Sequence, residues 1–453
     1  MEFATPFEIT KDFVQRLERA VEEQDERFII ESLRGVEPAD VSLVLEELDS
    51  DESKYILMLL DQELAAEILS NLDEDVLLPF VAEFSAKELA GIVQEMESDD
   101  AVDLLLEISN QMRDEVIAHI NDEEAQNNII DLLRYDEDTA GGLMAKELIK
   151  ANYKWNVVQT IEAIRHQAED VEKIYSIYVV DDFDRLLGRV SLKEMLLAKD
   201  TTKVGDIYVP EINTISTDSS QEEVVEVMQH YDLEALPVVN ARGRLVGRIT
   251  IDDVIDVITE AAEDERNLMS GVSDNVEEDD SIWKLSRSRL PWLIIGMGGG
   301  MLAAKFIGNF ENDLAVIPAL AAFIPLITAT GGNVGLQSST LVVQSLANPL
   351  AIREPLIVRL LKVFGVAAIN GLVLNAIVFG INMAMGLSWN LSMVVCIALY
   401  TVVMLSSVLG TLTPMVLERL GINPAMASGP FITIANDLLG LTVYFTVAHL
   451  LLL

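Results

Sequence analysis

Set out in rows of twelve, residues 48–132 fall into register. Leu48, Leu60, Leu72, Phe84, Met96, Ile108, Ile120 and Leu132 occupy one column. The next column holds Asp49, Asp61, Asp73, Ser85, Glu97, Ser109 and Asn121. Most of these are residue types whose side chains accept a hydrogen bond from the open N–H groups of a helix start. Each row has space for about two helical turns and a turn residue. The pattern therefore predicts a solenoid of short helices that bury an apolar column between neighbours, in a domain over residues 1–134. Acids gather within the rows, at Glu67, at Asp73–Glu74–Asp75, and at Asp99, Asp100 and Asp103. Asp99 and Asp103 share a helix face at i, i+4, where like charges repel unless a cation lies between them. A solvated face and a cation site both fit.

A second repeat follows the link Tyr135–Met144. Val179–Leu196 reads VVDDFDRLLGRVSLKEML, and Val238–Ile255, 59 residues on, reads VVNARGRLVGRITIDDVI. Each copy predicts a strand, a polar turn, a second strand ending at Gly188 or Gly247, and a helix. Amphipathic helices are expected ahead of them, near Val157–Gln167 and Gln221–Tyr231. Over residues 145–258 this pair resembles tandem CBS domains, small α/β modules that sense ligands for a neighbouring transporter or enzyme. The resemblance implies an adenine nucleotide such as ATP as ligand, with a Ser/Thr and an Asp three residues later at its ribose. Thr250 and Asp253 match; Ser191 and Glu194 stand there in the first copy. Beyond the pair, Asp253, Asp256, Glu260 and Glu263/Asp264 recur at helical spacing and form one acidic stripe. Such a stripe facing the acidic solenoid is repelled by it, and divalent ions between the two reverse the sign.

From Leu290 onward the polar pattern gives way to five apolar segments, near Leu290–Ile307, Leu314–Leu346, Arg359–Met385, Leu391–Leu417 and Ala425–Leu453. Each is long enough for the roughly 20 residues of a membrane span. Arg287, Arg289, Arg353, Arg359, Lys362 and Arg419 all fall on one side of such a five-span bundle, so the N-terminal half is expected in the cytoplasm and the C-terminus outside. The second segment contains PLITATGGN, Pro325–Asn333. Its consecutive glycines, Gly331 and Gly332, permit a locally opened helix whose carbonyls line a wet cavity, or close packing of helices. Pro424, Gly429 and Pro430 loosen the fifth segment in the same way. Asp437 then lies deep inside that span. A carboxylate there costs roughly 2.5–3.5 kcal/mol to insert. It reads as a cation site in a pore, or as a hydrogen-bonded group joining helices.

The charge balance sharpens this. The chain has 453 residues and a formal charge of −43. From residue 290 on, Glu311, Asp313, Glu354, Glu418 and Asp437 are offset by Lys305, Arg353, Arg359, Lys362 and Arg419, so the whole excess lies in the polar half. An acidic surface of this size repels nucleic acid. It suits hard cations such as Mg²⁺ and Ca²⁺, or serves solubility. The one cysteine, Cys396, sits in an apolar run and excludes disulfides and a Cys-based metal site. No basic, apolar leader is expected from MEFATPFEIT, and no GxxxxGK[ST] phosphate loop is present.

Taken together, an acidic helical domain, a CBS pair, an acidic connecting helix and five spans carrying PLITATGGN and NPAMASGPFITIAND resemble the MgtE-type magnesium channels. The resemblance implies a homodimer with its pore on the two-fold axis, lined by the second and fifth spans. It implies a passive, Mg²⁺-selective path that is closed by cytosolic Mg²⁺, in a cell membrane. Asp437 would hold hydrated Mg²⁺ in the pore with Thr433, Gly331 and Asn333 around it. Cytosolic Mg²⁺ would bind at Glu67, Asp99, Asp103, Asp218, Asp253, Asp256, Glu260, Glu263 and Asp264. The helix near Glu260–Ser281, within a connecting segment 259–285 ahead of a membrane domain 286–453, would plug the gate. Asn423, Gly429, Ser220 and His230 depart from the family's pattern. Two other readings stay open: transport of Co²⁺, Ni²⁺ or Mn²⁺, and a membrane-anchored nucleotide-sensing module in which Asp437 is dispensable.

Overall fold

The computed structural model describes residues 9–72, 74–168, 171, 173–273, 276, 281–347, 355–427 and 429–452. The chain divides into two compact units, Met1–Val257 and Ile258–Leu453.

The first unit opens with helices α1 (Lys11–Glu22), α2 (Glu26–Leu33), α3 (Pro38–Glu46), α4 (Ser50–Leu59), α5 (Gln62–Ser70), α6 (Glu74–Val81), α7 (Ala86–Val93), α8 (Ser98–Glu107), α9 (Asn110–His119) and α10 (Glu123–Leu132). From α3 to α9 every helix starts twelve residues after the last. Asp61, Ser85 and Ser109 cap their helices, accepting from the N–H groups of Leu64, Glu88 and Met112 at 3.2–3.3 Å. The period slips once, because Asp122 and not Asn121 caps α10. Asp73 and the side chains of Glu74 and Asp75 lie outside the described residues.

The apolar column expected to form the core does so in part: Leu72, Phe84, Ile120 and Leu132 are buried, whereas Leu48, Leu60, Met96 and Ile108 are half-buried. Leu48, Leu60, Leu72, Phe84 and Met96 each donate a backbone N–H to the carbonyl three residues earlier, closing the turn that ends a helix. Those earlier residues, Leu45, Leu57, Leu69, Val81 and Val93, are the ones buried to 2 % exposure or less. Of each pair the residue one turn back is the more deeply buried.

In the α/β part, strands β1 (Ile149–Asn152), β2 (Ile177–Val180), β3 (Leu186–Val190) and β4 (Val209–Pro210) form one sheet, and β5 (Ile215–Ser216), β6 (Ala235–Val239) and β7 (Leu245–Thr250) form another. The first pair in each is parallel and the hairpin that follows is antiparallel. Helices α11 (Val157–Gln167) and α13 (Gln221–Tyr231) match the expected bounds; α12 (Leu192–Leu197) follows β3. Gly188 and Gly247 do not end their strands. They sit within β3 and β7, where a Cβ would run into Val209 and Tyr208, or into Met144 and Ala145. Glycine there marks the close crossing of another segment.

The acidic stripe is carried on α14 (Ile251–Ser270). It is shorter than the expected connecting helix, ending at Gly271 with φ +73°, and residues 274, 275 and 277–280 lie outside the described ones.

The second unit contains α15 (Ile282–Gly308), α16 (Glu311–Val316), α17 (Ile324–Ala347), α18 (Leu356–Ala384), α19 (Trp389–Arg419) and α20 (Pro430–Leu452), with 3₁₀ turns at Pro318–Phe323 and Pro424–Ala427. Among the described residues five apolar helices are long enough to cross a membrane. Arg353 of the second connection lies outside these residues. Helix α19 supplies much of the core, through Val395, Ala398, Leu399, Val402 and Val403, against Ile327 of α17 and Tyr444 of α20. The Tyr444 hydroxyl donates to Leu320 O at 2.9 Å and fixes the 3₁₀ turn ahead of α17. The opening expected at GGN is absent: α17 runs unbroken through it, and the irregular backbone lies upstream at Pro318–Phe323. The glycines serve packing instead, since a Cβ at Gly410 of α19 would strike the Gly335 carbonyl of α17. The fifth segment does break before α20, as expected from Pro424, Gly429 and Pro430.

Two outcomes follow from this packing. Gly410→Val forces α17 and α19 apart, a cost of about 1–3 kcal/mol, and lowers the thermal midpoint of the purified protein. Gly300→Ala, where a Cβ meets open space, leaves that midpoint unchanged. At α7, Glu88 accepts from the Ser85 N–H and hydroxyl and pairs with Lys54, which lowers its pKa from 4.5 to about 2. A depressed carboxyl contributes stability that is present above its unfolded value and lost as pH falls through the folded one. Hydrogen exchange of α7 amides accordingly quickens, relative to Glu88→Gln, as pH falls from 4.5 toward about 2.

Candidate functional site

The structure brings two groups of the expected residues together, one in each unit. In the first unit, α8 presents Asp99 and Asp100 toward the start of α14. Asp99 is 7 % exposed. Burial, then the nearby Asp253, raises its pKa well above the usual carboxylate range. Asp100 is pushed up to about 6 by burial and by Asp253, against a hydrogen bond from Ser70 that pulls it down. Asp253 is itself raised, by burial first, although two bonds from Thr250 oppose the shift. The charge of Asp253 is near enough to raise both Asp99 and Asp100, so this corner of the first unit is short of counter-charge.

The remaining predicted acids are more open. Glu67 on α5, Asp103 on α8, Asp218 after β5, and Asp256, Glu260 and Asp264 on α14 are exposed, and Glu263 pairs with Arg266 at 3.6 Å. Thr217 donates to Asp218 at 3.4 Å. Among the described residues no three Asp, Glu, His or Cys side chains are gathered so as to hold a metal ion. Asp100, which sequence reasoning noted only as part of a cluster, belongs with Asp99. Its signal was its place one residue along in the first turn of α8.

The Thr–x–x–Asp and Ser–x–x–Glu motifs do the same local work in both copies. Asp253 Oδ2 accepts from the Thr250 N–H and hydroxyl at 2.7 and 2.8 Å. Glu194 Oε2 accepts from those of Ser191 at 3.0 and 3.1 Å. Each is a helix-start cap. Ser220 caps α13 through the Glu223 N–H at 3.4 Å. His230 packs edge-on against Tyr231 at 4.7 Å.

In the second unit, Asp437 stands half-buried on α20, two turns after the break in the fifth segment. A Cβ added at Gly332 would lie 3.7 Å from Asp437 Oδ1 and 3.5 Å from Thr433 Cγ2. Gly332 is thus the glycine that faces Asp437, at ordinary contact distance. Gly331, the one expected there, faces Val402 and Ser406 of α19. Asn333 is exposed on α17. The Thr433 hydroxyl donates to Gly429 O at 3.5 Å. Asn436 was missed by sequence reasoning. It is fully buried, donates to Ile432 O at 2.9 Å, and abuts Gly335 so closely that no Cβ fits there. By locking the neighbouring position against α17, it sets the rotation of α20 that turns Asp437 toward Gly332.

Two of the family departures gain a physical reason. Asn423 Oδ1 accepts from the Ala425 N–H at 2.9 Å and starts the 3₁₀ turn. A Cβ at Gly429 would come within 3.2 Å of the Leu268 and Met269 carbonyls, because the end of α14 passes over this corner.

Comparison with known proteins agrees with this architecture. Residues 324–447 match the MgtE divalent cation transporter family, 36–138 the MgtE intracellular N domain and 204–260 the CBS domain. The magnesium transporter MgtE of Thermus thermophilus is 36 % identical over 96 % of this chain and 98 % of its own length. That of Enterococcus faecalis is 33 % identical over 72 % of each. The crystal structure of the cytosolic domain of the Mg²⁺ channel MgtE in complex with ATP overlays 54 % of this chain and 99 % of its own, at 34 % identity and TM-score 0.51. The soluble part of a magnesium transporter overlays 56 % of this chain and 99 % of its own, at 26 % identity and TM-score 0.52. With an acidic helical domain, a CBS pair and five apolar helices in the order of those relatives, this chain belongs to the MgtE family of divalent cation transporters and is not an enzyme.

Proposed function

We propose that the protein is a passive Mg²⁺ channel for magnesium uptake, closed by Mg²⁺ on its cytoplasmic side. The observation that carries the reading is the placement of Asp437: a half-buried carboxylate within an apolar span, facing Gly332 of α17 and two turns after a broken backbone. Mg²⁺ gives up its waters reluctantly and prefers octahedral oxygen at about 2.0–2.1 Å. Asp437 suits a hydrated ion, which it holds through water. In a homodimer the two carboxylates face one another across the pore axis, binding firmly enough to admit the ion and loosely enough to release it. Membrane potential supplies the drive, roughly 4.6 kcal/mol per divalent ion per 100 mV. The choice of ion is supported by two relatives that are magnesium transporters and by a solved relative that is a Mg²⁺ channel.

The same reading gives the acidic contact its purpose. Asp99, Asp100 and Asp253 repel one another until a cation enters; Glu67, Asp103, Asp218 and Asp256 supply further oxygen ligands within the first unit, and Glu260, Glu263 and Asp264 are assigned as cation ligands on the part of α14 that belongs to the second. Within the second unit the end of α14 lies on the corner that begins α20, with Gly271 against Pro430. Filling the acidic contact steadies α14, and α14 bears on the pore helix. The family's ATP, seen with one solved relative, is assigned to the CBS pair near Thr250 and Asp253. The basic residues flanking the spans put the soluble half in the cytoplasm and the C-terminus outside.

Flux into liposomes tests the pore. Asp437→Asn is expected to cut Mg²⁺ uptake by about tenfold or more, equivalent to about 1.4 kcal/mol, with the dimer and its thermal midpoint intact. Uptake equal to that of the unaltered protein would remove Asp437 from the pore and leave the membrane-anchored nucleotide-sensing module as the better account.

A further inference from the structure

Helix α8 is capped from outside. Its own cap residue, Glu97, makes no side-chain bond to the helix start. That task falls to Glu147, forty-nine residues on in the segment leading to β1. Glu147 Oε2 accepts from the Ser98 N–H at 3.1 Å and from the Ser98 hydroxyl at 2.7 Å. The Lys146 N–H returns a bond to Ser98 Oγ at 2.8 Å. Ser98 is 2 % exposed, so these bonds are shielded from water. The other oxygen of Glu147 accepts from Asn128 of α10 at 3.2 Å.

Glu97, released from capping, turns to Arg248 of β7. Arg248 Nη2 donates to both of its carboxylate oxygens, at 2.7 and 3.0 Å. The guanidinium is held in place independently, donating to Lys173 O at 3.2 Å and lying over the Tyr175 ring at 5.5 Å. Arg248 is 4 % exposed. Its backbone exchanges hydrogen bonds with Ala145 at 2.8 and 2.9 Å, and so carries the segment that bears Glu147. One strand position thus fixes both residues that grip the start of α8. The next two residues of that helix are Asp99 and Asp100.

We infer that Arg248 and Glu147 are positioning residues of the cation sensor: a metal-independent latch by which the CBS pair grips the first turn of α8 and presets Asp99 and Asp100 against Asp253. The inference rests on the sensor reading given under Proposed function. An ion pair with a buried guanidinium and a side-chain cap from outside the helix resist the repulsion among the three aspartates, so less Mg²⁺ is needed to bring them together. The latch, by this account, sets the concentration at which the sensor closes, and it binds no ion itself.

The test is Mg²⁺ titration of hydrogen exchange in the α8 peptide of the full-length protein in detergent. Glu147→Ala and Arg248→Met are expected to raise the Mg²⁺ midpoint for α8 protection by about tenfold or more. Glu147→Gln keeps an oxygen for Ser98 and stays within about twofold of the unaltered midpoint. Peptides from β2 and β6 report that the CBS pair remains folded. Midpoints that coincide with the unaltered protein, or a Gln variant as impaired as the Ala variant, would overturn the latch while the sensor stands. An unaltered protein whose α8 ignores Mg²⁺ would overturn both.

Discussion

Asp99 and Asp100 on one helix and Asp253 on another lie near enough, in a partly buried setting, for their charges to oppose one another. Burial alone raises the pKa of a carboxyl, and each neighbour raises it further. A fold that assembles such a contact needs something else to hold it together. The twelve-residue layering of short helices gives rigidity, and the grip of Glu147 and Arg248 on α8 gives attachment. What remains uncompensated is charge, and a divalent cation supplies that in the least space. An ion that binds only the assembled state stabilises it in proportion to its concentration, which is the physical content of a sensor.

The membrane unit solves a different problem with different residues. A single carboxylate among apolar helices must face protein or water, and side-chain volume decides which. Gly332 faces Asp437 at ordinary contact distance; Gly335 and Gly410 let α17, α19 and α20 close tightly behind it. Asn436 locks the rotation of α20 between these two faces. The acid is poised by the absence of side chains on its neighbours more than by any bond of its own.

Much of this was legible in the chain. The twelve-residue period located six consecutive helix starts, α4 to α9, and the 59-residue repeat located both halves of the α/β module. Run length and hydropathy found all five spanning helices, and the isolation of Asp437 among apolar residues marked it at once. What escaped depended on neighbours distant in sequence. Periodicity marks which positions are equivalent but not how deep each lies, so the column of Leu48, only half of it buried, was expected to form a core in which Leu45 and its kin lie deeper. Gly331 and Gly332 are indistinguishable in one dimension; only the rotation of α17 assigns Gly332 to Asp437. The opening expected at GGN failed because tight packing against α19 and α20 repays those glycines within a continuous helix. Glu97 looked like one more cap in the register, and its partner Arg248 lies 151 residues away.

The most direct test of the account is the current carried by single channels in a bilayer as Mg²⁺ on the side of the soluble unit is stepped from micromolar to millimolar. The unaltered protein is compared with Asp99→Asn/Asp253→Asn. The account predicts that the unaltered channel closes as Mg²⁺ rises, whereas the variant, whose neutral amides take away the charge that binds the ion, conducts Mg²⁺ and no longer closes over that range. A variant that closes at the same concentration, or an unaltered channel indifferent to Mg²⁺, would contradict the claim that a cation bound among these aspartates holds the gate.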